Sequence, residues 1–168
     1  MSILHPDAEQ RAKVYLGEDT LLDFIGSGIE GIVYSTSRGT ALKVHGRVNA
    51  FQNEYKAYQR LRLHKVRCVR GFEVPVMLGA DARLMVIEMT VVRPPCVIDF
   101  GNSRLDVKPD YTQEQWDYWF EKLADDFGEV NWPEAEAVYY ELKNKWGIYH
   151  LDLSTNNVRF PADSTGAA

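Results

Sequence analysis

Gly26-Ser27-Gly28-Ile29-Glu30-Gly31-Ile32-Val33 follows the pattern G-x-G-x-x-G-x-V. Glycines at this spacing let a backbone approach phosphate oxygens closely, because no Cβ stands in the way. Two arrangements use them. One is a strand-to-helix turn that holds a dinucleotide, and the other is a hairpin whose backbone covers the phosphates. Here the β-branched Ile32 and Val33 follow at once, so the glycines join two strands and the hairpin is the better fit. Taken alone, they fit an ordinary turn equally well.

Lys43 interrupts the apolar run Ala41-Leu42-Lys43-Val44. A lysine there is either a surface residue or a placed charge. Downstream, Phe51, Glu54, Tyr58 and Leu61 fall on one helical face, and a glutamate among apolar neighbours needs a buried partner. Lys43 and Glu54 each remove the unpaired-charge penalty of the other. A third group is His150-Leu151-Asp152-Leu153-Ser154-Thr155-Asn156-Asn157, an H-x-D-x-x-x-x-N pattern. An aspartate placed so can orient a substrate hydroxyl or accept its proton, and an asparagine five residues on can offer a metal its amide oxygen.

These residues need a scaffold, and the pattern supplies one. Residues 8–16 suit a short helix. Leu22, Phe24 and Ile25, then Ile32-Val33-Tyr34, then residues 41–44 read as three antiparallel strands, with turn chemistry at Ser37-Arg38-Gly39-Thr40. The spacing predicts a helix over residues 49–63. Two strands follow, at residues 74–78 and 84–89, with a hairpin turn at residues 79–83. Arg93-Pro94-Pro95 breaks the pattern. A helix over residues 112–127 begins at Thr112 as N-cap and carries the stripe Trp116, Trp119, Phe120 and Leu123. Trp132-Pro133 opens a further helix, which Gly147 ends. The last element is a short strand at residues 157–160.

Taken in chain order, the glycine loop, strand lysine, helix glutamate, paired strands, helices and H-x-D-x-x-x-x-N loop resemble the protein-kinase-like superfamily over residues 21–160. The resemblance implies an α+β fold, with an antiparallel-sheet N-lobe (residues 21–92) after an N-terminal extension (residues 1–20). A truncated helical C-lobe (residues 93–168) carries the catalytic loop. It also implies ATP and Mg²⁺ in the cleft. Gly26, Ser27, Gly28, Gly31, Val33, Ala41 and Lys43 would then surround the nucleotide, and adenine would bond the backbone around Glu88, Met89 and Thr90. Lys43 would hold phosphates, Glu54 would hold Lys43, Asp152 would orient the acceptor and Asn157 would hold metal.

The sequence departs from that family in three ways. Leu151 stands where an arginine usually follows the histidine, and Ser154 where protein kinases acting on Ser/Thr usually carry lysine. Both resemble aminoglycoside-phosphotransferase-like and other atypical kinases. The family's metal-binding Asp-Phe-Gly should come about a dozen residues after the asparagine, and only eleven residues follow Asn157. Asp99-Phe100-Gly101 instead stands upstream, after the apolar Val97-Ile98. Three readings compete for Asp99: coincidence, a carboxylate at the ribose end of the cleft, or a relocated metal ligand. Asp163, in a turn-like setting, is a further carboxylate to consider.

The chain has 168 residues, 45% hydrophobic and 26% charged, with net charge −5, the composition of one ordinary globular unit. That acidic balance argues against nucleic acid as a partner, and residues 60–70, although basic, suit a solvated helix end. No run is long and apolar enough to span a membrane. Cys68 and Cys96 show neither metal nor disulfide spacing, which fits a cytoplasmic setting. The expected activity is phosphoryl transfer from ATP to a hydroxyl of a protein or small molecule. No peptide platform is expected, and a second subunit or partner protein is one source of missing parts. The rival is a pseudokinase that binds nucleotide or scaffolds a partner.

Overall fold

The computed structural model describes residues 6–17 and 22–162; Asp163 and Leu21 lie outside them. Helix α1 (Ala8–Leu16) precedes strands β1 (Leu22–Ser27), β2 (Gly31–Thr36) and β3 (Thr40–His45). Helix α2 (Val48–Leu63) follows, then β4 (Cys68–Val69), β5 (Phe72–Glu73), β6 (Met77–Asp81) and β7 (Val86–Thr90). Beyond them come β8 (Cys96–Val97), β9 (Ser103–Leu105), helix α3 (Gln113–Trp146), β10 (Ile148–His150) and β11 (Val158–Arg159). The class is α+β. Its main sheet is antiparallel with order β1-β2-β3-β7-β6.

Strand alternation divides this sheet into two faces. Leu42 and Val44 of β3 pack with Ile32, Tyr34, Val86 and the buried Ala8, Ala12 and Leu16 of α1. Arg11 fastens α1 further by donating from Nη1 to the carbonyls of His45 and Leu84, both at 3.0 Å. The other face of β3 carries Lys43 and His45 toward α2. There Phe51, Ala57, Tyr58 and Leu61 join Met77, Ile87, Met89 and the α3 residues Leu123, Val138, Tyr139 and Leu142 in one core.

Three expected boundaries shift. The strand expected over residues 74–78 starts at Met77 and runs through Gly79 to Asp81, with a register shift between Met77 and Gly79. The turn lies after it, because Asp81 Oδ1 accepts from the backbone N–H of Arg83 and Leu84, at 2.8 and 3.0 Å. Such an Asx turn fixes the reversal one step later than the glycine suggested. The helix beginning at Thr112 has the expected cap, completed by Gln115 as a capping box. It is not followed by a loop. The path breaks at Gly128 (φ 72°, ψ 167°) and helix resumes at once, so Pro133 lies about one turn in, where at most one helical bond is lost. Gly147 ends α3 in the left-handed conformation.

Two small sheets join the elements around the upstream Asp-Phe-Gly. β8 pairs antiparallel with β11, Val97 opposite Val158 and Cys96 opposite Arg159. β9 pairs antiparallel with β10, Ser103 opposite His150.

Candidate functional site

Lys43 Nζ lies 2.7 Å from Glu54 Oε2 and 2.7 Å from Asp99 Oδ1, with its side chain 6% exposed. The expected pair therefore forms, and a third group completes it. Burial alone would lower the Lys43 pKa, but the charges of Glu54 and Asp99 outweigh it and hold the pKa above the ordinary value. Glu54, 1% exposed, is likewise pushed up by burial. The Lys43 charge and a hydrogen bond from His45 reverse this and bring it to about 2.

His45 is a partner that the motif analysis did not reveal. Its ring is fully buried, with Nε2 2.6 Å from Glu54 Oε2 and Nδ1 3.2 Å from the Met85 carbonyl. Residues two apart on a strand share a face, so the signal was present in the spacing of Lys43 and His45. The Glu54 oxygen thus holds the strand at two points, while its other oxygen, Oε1, is buried without a hydrogen-bond partner.

The Asp-Phe-Gly segment is tied on both sides to the loop that holds Asp152 and Asn157. Before it, β8 pairs with β11, and the Ile98 N–H donates to the Asn157 carbonyl at 2.7 Å. After it, β9 pairs with β10, and the Leu151 N–H donates to the Asn102 carbonyl at 3.1 Å. Phe100 is fully buried, 4.9 Å from the His150 ring centroid and 5.3 Å from that of Tyr58. Asp99 itself has φ 61°, a left-handed conformation uncommon for a residue with a Cβ. Its neighbours over-determine it: Oδ1 also accepts from the Gly101 N–H at 3.3 Å. His150, sealed below Phe100, has its pKa lowered to about 4 by burial and is neutral near pH 7.

Asp152 and Asn157 are in direct contact. Asn157 Nδ2 donates to the Asp152 carboxylate at 2.7 Å and to its carbonyl at 2.8 Å. The amide nitrogen is thereby committed, leaving the amide oxygen as the end able to ligate a cation. Burial raises the Asp152 pKa, and the negative charge of Asp99 raises it further, against the Asn157 bond. Asp99 and Asn157 carry hard oxygen donors, which suit Mg²⁺ by type, on segments joined by the β8–β11 ladder.

The glycine loop is the turn between β1 and β2. Its Gly28 N–H donates to the Gly31 carbonyl at 2.9 Å. Only Gly31 is sterically required in this arrangement: a Cβ there would overlap the Val44 carbonyl, whereas a Cβ at Gly26 or Gly28 would meet nothing. Ser27 is exposed at the end of β1, and Val33 and Ala41 are half-buried on the paired strands β2 and β3. Glu88, Met89 and Thr90 lie in β7, which is hydrogen-bonded to β3 on one side and β6 on the other. The Thr90 N–H donates to Val76, and the Glu88 carboxylate accepts from Thr40 at 2.7 Å. The Thr90 N–H, among the groups expected to face adenine, is therefore engaged by Val76, and β7 ends at Thr90, before Val91, which is 54% exposed.

Glu30, Glu54 and Asp99 bring carboxylate oxygens within 4.8 Å of one another. Among the described residues, no helix is long and apolar enough to cross a membrane.

No family model matches the chain, and no curated protein matches it. Among solved structures it is similar to APH(2")-IIa in its ternary complex with streptomycin and ATP, at 16% identity and TM-score 0.38. The likeness covers 75% of this chain and 38% of that one, so the chain spans well under half the length of the structure it matches.

Proposed function

We propose that this chain is an ATP-dependent phosphotransferase of the protein-kinase-like type, in which the metal-side aspartate comes from upstream of the catalytic loop. The observation that carries the reading is Lys43 held between Glu54 and Asp99, at 2.7 Å from each. A coincidental Asp-Phe-Gly would have no reason to meet both the strand lysine and the strand that follows Asn157.

In this reading Lys43 holds phosphate oxygens and Glu54, braced by His45, holds Lys43. Asp152 orients the acceptor hydroxyl and takes its proton, helped by its raised pKa. Gly26, Ser27, Gly28 and Gly31 form the cover, and Val33 and Ala41 line the base side. Adenine bonds backbone near Val91 rather than within the paired strand at Glu88, Met89 and Thr90. Asp99 and the Asn157 amide oxygen would hold Mg²⁺, which when bound neutralises charge on the transferring phosphoryl group. The acceptor is a hydroxyl-bearing protein or small molecule.

Two measurements on the purified chain test this. Calorimetry with ATP and Mg²⁺ should show binding in the micromolar-to-millimolar range, roughly −4 to −8 kcal/mol. Incubation with γ-labelled ATP should yield labelled product or free phosphate. Binding without any turnover, across protein and small hydroxyl acceptors, would leave the pseudokinase reading in its place.

A further inference from the structure

Glu30 sits at the tip of the glycine loop, yet its side chain turns inward. Its Oε2 is buried without a hydrogen-bond partner. The carboxylate lies against Gly101 so closely that a Cβ there would overlap it. One of its oxygens is within 4.8 Å of a carboxylate oxygen of each acid that holds Lys43. The cluster is not a vacant metal site, because the Lys43 ammonium is the cation between Glu54 and Asp99. Glu30 is a third anion at the edge of that arrangement, where phosphate would have to approach Lys43. Burial and the nearby Asp99 charge both raise its pKa, as expected for a carboxylate in a place it does not favour.

We propose that Glu30 is a built-in competitor for the phosphate end of the cleft. With the loop closed, its carboxylate takes the space and the favourable potential beside Lys43, and nucleotide is admitted when the loop lifts it out. The loop is built for such a movement. Gly31 is packed against the Val44 carbonyl and the Glu30 carbonyl accepts from the Gly46 N–H at 2.8 Å, so the movement belongs to the Glu30 side chain and to the loop tip before it, where Ile29 is 68% exposed. Nucleotide affinity is then reduced by the fraction of chains in which the loop is open. This regulation rests on the phosphotransferase reading, but the closure of the loop over Lys43 is testable without nucleotide.

The experiment compares the parent with Glu30→Gln and Glu30→Ser in two assays, after matched thermal unfolding shows that the variants fold. Calorimetry with ATP and Mg²⁺ should show about tenfold tighter binding for Glu30→Gln, from loss of like-charge competition. Equal or weaker binding overturns the proposal, and weaker binding would make Glu30 part of the metal–nucleotide site instead. Labelling with acetic anhydride, followed by mass spectrometry of the Lys43 peptide, should run several-fold faster in Glu30→Ser, about the gain expected when a closed loop opens. An unchanged rate overturns the closure. Faster Lys43 labelling with no nucleotide binding by any of the three proteins would sink the phosphotransferase reading and leave the loop closure standing.

Discussion

Val97 stands opposite Val158 in an antiparallel pair, so the strand that leads into Asp99 lies beside the strand that leaves Asn157. In the kinase-like order that the sequence resembles, a strand and an Asp-Phe-Gly follow the asparagine. Here the strand and motif precede the loop that holds Asp152 and Asn157, and the two are zipped together in space. A second ladder, Ser103 opposite His150, ties the far side of the motif to the same loop. The chain order differs from the one in that resemblance, and the two segments are nevertheless paired in space.

Removing a partner from the Lys43 cluster should be costly. Glu54→Ala leaves Lys43 and His45 without their shared oxygen inside the core, and breaking a buried pair typically costs about 3–5 kcal/mol. Urea unfolding should show a loss of that order, and ATP affinity should fall with it. A loss below about 1 kcal/mol, the range of exposed pairs, would show that Glu54 faces solvent in the working state.

Acid should destabilise the fold in two overlapping windows. His150 has its pKa lowered from 6.5 to about 4. The unfolded chain therefore binds its proton first, and stability is lost as pH falls from 6.5 toward 4. Glu54 is lowered from 4.5 to about 2, so its contribution is present above 4.5 and lost as pH falls through that range toward 2. Asp152 and Glu30, both raised, act in the opposite sense, favouring the fold at lower pH. Melting temperature measured from pH 7 to pH 4 for the parent and for His150→Gln tests the first window. The variant should show a shallower decline, and parallel curves would remove His150 from the account.

The glycines of the loop should separate by role. Gly31→Ala forces a methyl into the Val44 carbonyl, and overpacking of this kind costs about 1–3 kcal/mol. Gly28→Ala meets no atom and should leave melting unchanged while weakening nucleotide binding. Equal melting losses in both would contradict the assignment.

Much of this was legible in the residues. The strand–glycine–strand context, Lys43 within an apolar strand, and Glu54 on an apolar helix face are local patterns, and local patterns survive into the fold. The closeness of Asp152 and Asn157 was legible for the same reason, since they lie five residues apart and meet directly. The partner of Asp99 was not legible, because strand pairs as short as β8–β11 leave almost no periodicity. The pairing depends on contacts distant in sequence. Glu88, Met89 and Thr90 follow from the resemblance as the adenine side, and the strand that holds them was legible as an apolar run; its end at Thr90 was not, because strand ends cannot be fixed to the residue from composition. The end of the first helix at Phe127 was legible, and the path breaks next to it at Gly128; that helix resumes at once, ahead of Trp132-Pro133, was not, because a left-handed glycine followed directly by new helix leaves no loop signature in the sequence. Glu30 stands at a spacer position of its motif; nothing in the spacing says that it turns inward.

The most direct test of the relocated aspartate is phosphate transfer or hydrolysis from γ-labelled ATP by the parent, Asp99→Asn and Asp152→Asn, with melting temperature measured on each. The account predicts a loss of about 10²-fold or more in both variants, with melting temperatures that show each variant folded. Full activity in Asp99→Asn, with loss confined to Asp152→Asn, would contradict it.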